Sequence, residues 1–234
     1  HVKWNDNTAI LSGDAMMIMA NMLMMETPPH SLVAVFHEFN KVAMEVCEGQ
    51  QYDMNLEKRH MAINPVGEAE YMNMIRLKTS VLIGASLKIG ALCGGASADD
   101  AQILYNYGLN IGLAFQIQDD FLDTYGDEAD FGKRIGGDIL EGKKTYLMVK
   151  LVELASDTDR KEAERIIAES AISDDEKIKS IKHLYGKYGV DTITQNKIST
   201  LFVEAKSQLS RLGYVASACH ALRELENMLI SRNK

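Results

Sequence analysis

Phe115-Gln116-Ile117-Gln118-Asp119-Asp120-Phe121-Leu122-Asp123 is the stretch on which the reading of the fold turns. Three carboxylates sit inside an otherwise apolar segment. On an α-helix, residues three and four apart share a face, so Asp119 and Asp123 stack, Asp120 lies alongside and Gln116 projects on the same side. Two carboxylates about 4 Å apart repel by about 1 kcal/mol in bulk water and about 4 kcal/mol at an effective dielectric of about 20. Leu113, Phe115, Ile117, Phe121 and Leu122 argue against a freely solvated face, so the acids call for a cation. Carboxylates completed by waters and phosphate oxygens are the usual way Mg²⁺ is held. A crowded acidic helix end is the plainer reading of the same residues.

The residues after these acids suit a phosphate partner. Gly126-Asp127-Glu128-Ala129-Asp130-Phe131 leads into Gly132-Lys133-Arg134-Ile135-Gly136-Gly137-Asp138 and then Glu141-Gly142-Lys143-Lys144-Thr145-Tyr146. Acids take a metal and lysines take phosphate oxygens, so acids followed by bases in a glycine-punctuated loop can grip a metal–diphosphate complex. A helix is expected to restart near Lys143, its free N–H groups adding to the grip.

Taken together, these runs resemble the second aspartate-rich motif and following loop of the trans-prenyl diphosphate synthases, the polyprenyl synthetase family. The resemblance implies an all-α, isoprenoid-synthase-like helical bundle around a central cavity. It implies condensation of isopentenyl diphosphate with an allylic prenyl diphosphate by Mg²⁺-assisted ionisation. It makes Asp119, Asp120 and Asp123 metal ligands and has Lys78, Lys133 and Lys143 contact the allylic diphosphate. Thr79 and Gln116 then lie beside the first isoprene unit, and Asp138 resembles an acid that orders metal-bound water. A homodimer is the family's usual assembly. The family's first aspartate-rich motif belongs before a sequence like His1-Val2-Lys3-Trp4, so residues 1–234 are expected to form a single domain lacking the family's N-terminal helices, a fragment of a longer synthase. A non-catalytic subunit of a synthase heteromer and a terpene cyclase are the competing classes; the Gly-Lys-Arg-x-Gly-x-Asp run suits an elongating synthase better than a cyclase.

The remaining sequence is consistent with an all-α protein. No alternating strand pattern of useful length occurs. Thr8 to Met25 is apolar nearly all round, which predicts a central buried helix with Asp14 as a core or site-supporting acid. Pro28-Pro29 break the chain. Ser31 to Glu48 has apolar residues at helical spacing and is expected to end at Gly49-Gln50-Gln51-Tyr52-Asp53, a run that also resembles the family's cavity lining. Glu68 to Leu92 reads as one helix interrupted by Lys78-Thr79. On composition alone Lys78 snorkels to the surface; the resemblance makes it a diphosphate contact. Ser97 followed by Asp99 and Asp100 is an N-cap for a helix running to Gly126. After a loop from Asp127 to Gly142, helices are expected from Lys144, over Arg160 to Ser170, Asp174 to Tyr188 and Asp191 to Ser210, and over Val215 to Arg232.

Composition narrows the function. A net charge of -8 disfavours nucleic acid as the main partner. The apolar run from Ala15 to Met25 is too short to span a bilayer, so no stable membrane insertion is expected and a cytoplasmic location is the default. Cys47, Cys93 and Cys219 lack paired spacing and read as buried thiols. The 13 methionines suggest a soft apolar interior or channel, or ordinary core filling.

Overall fold

The computed structural model describes residues 2–60, 63–127, 135–212 and 220–231. Among them every regular element is helical. At the centre is α5 (Ala98–Tyr125), which carries the acidic stretch. Ser97 starts it by accepting the Asp100 N–H at 3.1 Å, with Asp99 and Asp100 in the positive first turn. Tyr107, Ile111, Ala114 and Ile117 are buried along its length. Such a helix is stabilised by tertiary packing rather than by its own propensity.

The helical run Glu68–Cys93 flanks α5 on the site side, and α2 (Leu32–Glu57) packs against that run. α2 continues well past the expected stop at Gly49. Gly49 is not a terminator: a Cβ there would lie 2.2 Å from the Lys78 nitrogen, so the missing side chain lets another backbone touch α2. That backbone belongs to the Glu68–Cys93 run, which is α3 (Glu68–Ile75), a π-helical turn (Arg76–Ser80) and α4 (Val81–Cys93). The interruption expected at Lys78-Thr79 is therefore a wider helical turn, of the kind frequently found at functional sites. The π turn and α4 meet α5 through small residues. A Cβ on Gly108 would fall 2.7 Å from Gly84 Cα, and one on Gly112 would fall 2.6 Å from Ser80 Cα.

Beyond α5 come the short α6 (Gly137–Leu140), α7 (Tyr146–Leu154), α8 (Asp157–Ala168), α9 (Asp174–Lys187), α10 (Val190–Ser210) and α11 (His220–Ser231). Thr145, Ser156 and Ser173 cap α7, α8 and α9 by accepting N–H groups three residues on. α8 thus starts at Asp157, three residues before the expected start at Arg160. Leu147, Leu151, Ile181, Tyr185, Ile198 and Leu201 join α5 in one apolar core. Two buried side chains of α5 hold α11: Gln118 donates to the Leu229 carbonyl at 2.9 Å and Tyr107 to that of Leu222 at 3.0 Å.

The first helix departs from expectation. α1 (Asp6–Met24) buries none of its residues and leaves Leu11, Met16, Ile18 and Met22 each more than 60% exposed. Asp14 is exposed as well, neither in a core nor at the cavity. An all-round apolar sequence signals that a helix needs cover; here α1 leans on α2 and its other sides stay open. Cys47 is likewise exposed and Cys93 half-buried, contrary to the reading of buried thiols, while Cys219 lies outside the described residues. No described helix is long and apolar enough to cross a membrane.

Candidate active site

A cavity of about 410 Å³ opens where α2, α3, the π turn, α5 and α6 converge. The acidic face of α5 forms one wall with Gln116, Asp119, Asp120 and Asp123; Lys78 and Asp53 face it, and Asp138, Lys143 and Lys144 close the end. Asp119, Asp120, Asp123, Gln116, Lys78 and Lys143 are thus brought together. Thr79 joins them by donating its hydroxyl to Gln116 Oε1 at 3.2 Å. Lys133 lies outside the described residues, as does the rest of Glu128–Arg134.

Two of the carboxylates are anchored on one oxygen. Asp120 is buried, and its Oδ2 accepts the Tyr71 hydroxyl at 2.5 Å and the Tyr146 N–H at 2.8 Å. Its Oδ1 receives a longer bond, 3.4 Å, from Gln116 Nε2. Asp123 accepts the Asp138 N–H on Oδ2 at 3.0 Å, and its backbone carbonyl takes the Gly136 N–H at 2.6 Å. Gly136 makes that return possible because its φ of 84° is left-handed, a conformation glycine adopts without strain. Burial pushes the Asp120 carboxyl up to about 7, against the pull of its Tyr71 and Tyr146 donors. Burial also raises Asp123, and the Asp138 N–H opposes it. Burial is thus the main reason both carboxyls are raised.

The lysines carry that charge but are already engaged. Lys78 Nζ lies 2.5 Å from Asp53 Oδ2. Lys143 Nζ lies 2.7 Å from Asp138 Oδ1 and 3.0 Å from Glu141 Oε2, contacts that raise its pKa. Lys144 donates to the Gly142 carbonyl at 3.0 Å, and burial lowers its pKa. All three lysines line the cavity.

The donor set suits a hard divalent cation. It consists of carboxylate oxygens, with no clustered thiol or imidazole among the described residues. No three such acidic or imidazole groups converge closely enough there to enclose an ion by themselves. An open wall of single oxygens is the arrangement in which Mg²⁺ keeps waters and shares substrate phosphates.

Some of the cavity is invisible in the sequence. Tyr71 is seven residues before Lys78, two helical turns, which is the one local signal that both face the same side. Lys144 and Thr145 sit in the quoted run after the loop, yet nothing local separates Lys144 from Lys143. The expected grip by free N–H groups near Lys143 is corrected: α7 begins at Tyr146, and that N–H is used by Asp120.

Comparison with known proteins fits this architecture. A family model described as Polyprenyl synthetase matches residues 1–188. The geranylgeranyl pyrophosphate synthase of Geoglobus acetivorans is 35% identical over 235 residues, covering 100% of this chain and 70% of its own length. The short chain isoprenyl diphosphate synthase of Methanothermobacter thermautotrophicus is 39% identical over 81% of this chain and 56% of its own length. This chain therefore spans only part of these relatives. The crystal structure of geranylgeranyl pyrophosphate synthetase from Pyrococcus horikoshii superposes with a TM-score of 0.90 at 31% identity, over 98% of this chain and 68% of that one. A sequence match of that extent, on a chain sharing the helical architecture of solved synthases, means that this protein belongs to the polyprenyl synthetase family.

Proposed function

We propose that this chain forms the diphosphate-ionising part of a trans-prenyl diphosphate synthase, which joins isopentenyl diphosphate to an allylic prenyl diphosphate. The observation that carries the reading is the cavity that sets Asp119, Asp120 and Asp123 opposite Lys78 and Lys143. Asp119, Asp120 and Asp123 hold Mg²⁺. Magnesium supplies positive charge against the departing pyrophosphate. Lys78 and Lys143, exchanging Asp53 and Asp138 for phosphate oxygens, bind the allylic diphosphate together with Lys133. Thr79 and Gln116 would line the path of the first isoprene unit, and Asp138 would order water beside a bound metal. In the reaction the allylic C–O bond breaks, pyrophosphate leaves with the electron pair, the isopentenyl double bond attacks the allylic carbon, and a proton is lost. Charge fixed in advance around the leaving group is the largest contribution such a site can make.

The names of the relatives make geranylgeranyl diphosphate the first product to look for. The open flank of α1 supports the further reading that the protein works as a homodimer. The test is elongation of labelled farnesyl diphosphate by the protein with isopentenyl diphosphate and Mg²⁺. Asp119→Ala is expected to cut turnover by at least about a hundredfold, the scale seen when a key electrostatic group is removed. Near-normal turnover rejects the metal role. No product alone, but altered product with a partner synthase, identifies a non-catalytic subunit.

A further inference from the structure

Tyr71 is a buried group with a polar hydroxyl at the cavity that the proposed chemistry leaves unused. It is 1% exposed, and its ring lies against that of Tyr146 with centroids 5.8 Å apart. Its hydroxyl and the Tyr146 N–H converge on the same oxygen, Oδ2 of Asp120. An aspartate carboxyl turns easily about its last bond, because that torsion is broad and roughly two-fold. Two donors fixed on Oδ2 remove this freedom. Oδ1 is then held beside Gln116, which is itself joined to Thr79. One donor is backbone at the start of α7, and the other reaches across from α3, so the orientation of the carboxylate depends on how three helices meet.

We propose that Tyr71 is a positioning residue, which pins Oδ2 of Asp120 and so presents Oδ1 to the divalent cation of a metal–diphosphate substrate. The inference rests on the proposed function, since it presumes that Asp120 meets a cation. Groups that orient metal-bound carboxylates typically contribute about 10–100-fold to metal affinity. The lower end is expected here, because the Tyr146 N–H remains when the hydroxyl is removed.

The test uses Mn²⁺ as the probe, with a thio-analogue of farnesyl diphosphate that does not ionise. Free Mn²⁺ is followed by electron paramagnetic resonance during titration, and folding of each variant is checked by thermal melting. Tyr71→Phe is expected to weaken Mn²⁺ binding by about tenfold. Tyr107→Phe removes another buried hydroxyl from the fold, one that bonds to Leu222 away from the cavity, and is expected to leave binding unchanged. In an Asp120→Asn background, Tyr71→Phe is expected to add no further loss. If Tyr71→Phe does not fold, Tyr71→Met carries the same comparison. Binding as tight as wild type in the Tyr71 variant, or an equal loss in the Asp120→Asn background, overturns the positioning role. Wild-type protein that binds no Mn²⁺ with the analogue overturns the proposed function as well, and so is distinct from failure of the positioning role alone.

Discussion

Gly49 carries more of the cavity geometry than its lack of a side chain suggests. It lets α2 reach the backbone of the π turn, and it thereby sets the distance between Asp53 and Lys78. A methyl group there meets main-chain atoms at 2.2 and 2.6 Å, which cannot swing aside as a flexible side chain can. Gly49→Ala is therefore expected to cost about 1–3 kcal/mol, the usual range for overpacking, read as a lowered midpoint in thermal melting. A melt unchanged from wild type would mean that α2 and the π turn separate freely. At this scale the sequence is partly legible. The acids of α5 can be placed on one face because helical spacing is a local property. Gly49 reads as a helix stop, and the tie from Tyr71 to Asp120 is not legible, because the partners of these two residues, Lys78 and Asp120, lie far along the chain and no local pattern encodes such a contact.

The helices are joined by a small number of polar ties between elements. Glu68, at the start of α3, accepts Lys197 of α10 at 3.0 Å, Lys150 of α7 at 3.1 Å and the Tyr146 hydroxyl at 3.2 Å. Burial pushes its carboxyl up, but the two ammonium donors outweigh it and hold the pKa below its ordinary value. A carboxyl lowered by folding contributes stability above its unfolded pKa, and that contribution is lost as pH falls through the folded value. Thermal midpoints measured from neutral pH downward are thus expected to fall below about pH 4.3, the unperturbed glutamate value. Glu68→Gln should lower stability at neutral pH and make this acid limb shallower; a limb of equal steepness would place the acid sensitivity elsewhere. Most helices can be located from the sequence, since Ser97 and Ser173 announce α5 and α9 by caps that act within three residues. The expected start of α7 is too early because Thr145, not Lys143 or Lys144, is the residue that caps it.

For the molecule as a whole, α1 is the element that does not close. Its Leu11, Met16, Ile18, Met19 and Met22 form an apolar surface, and soluble monomers rarely present apolar patches larger than a few hundred Å². The 234-residue chain in isolation is expected to self-associate in sedimentation velocity, and a Leu11→Lys, Met22→Lys variant to run as a smaller species without loss of helical signal. Equal sedimentation of both proteins would show that the surface attracts nothing. Sequence identifies α1 as a helix that needs burial but not what buries it, because periodicity reports the demand and not the supplier.

The π turn at Arg76–Ser80 uncouples the two ends of the helical run that contains it. An α-helix advances by about 100° per residue, so one added residue would swing everything beyond it by that angle. A wider turn absorbs the extra residue where it occurs. Tyr71 can then look toward Asp120 while Gly84, on the far side of the turn, still nests against Gly108. Chemistry and packing along one rod are in this way set to two independent dials. Shortening the rod by a single residue would force them back onto one, and either the tyrosine or the glycine would point the wrong way.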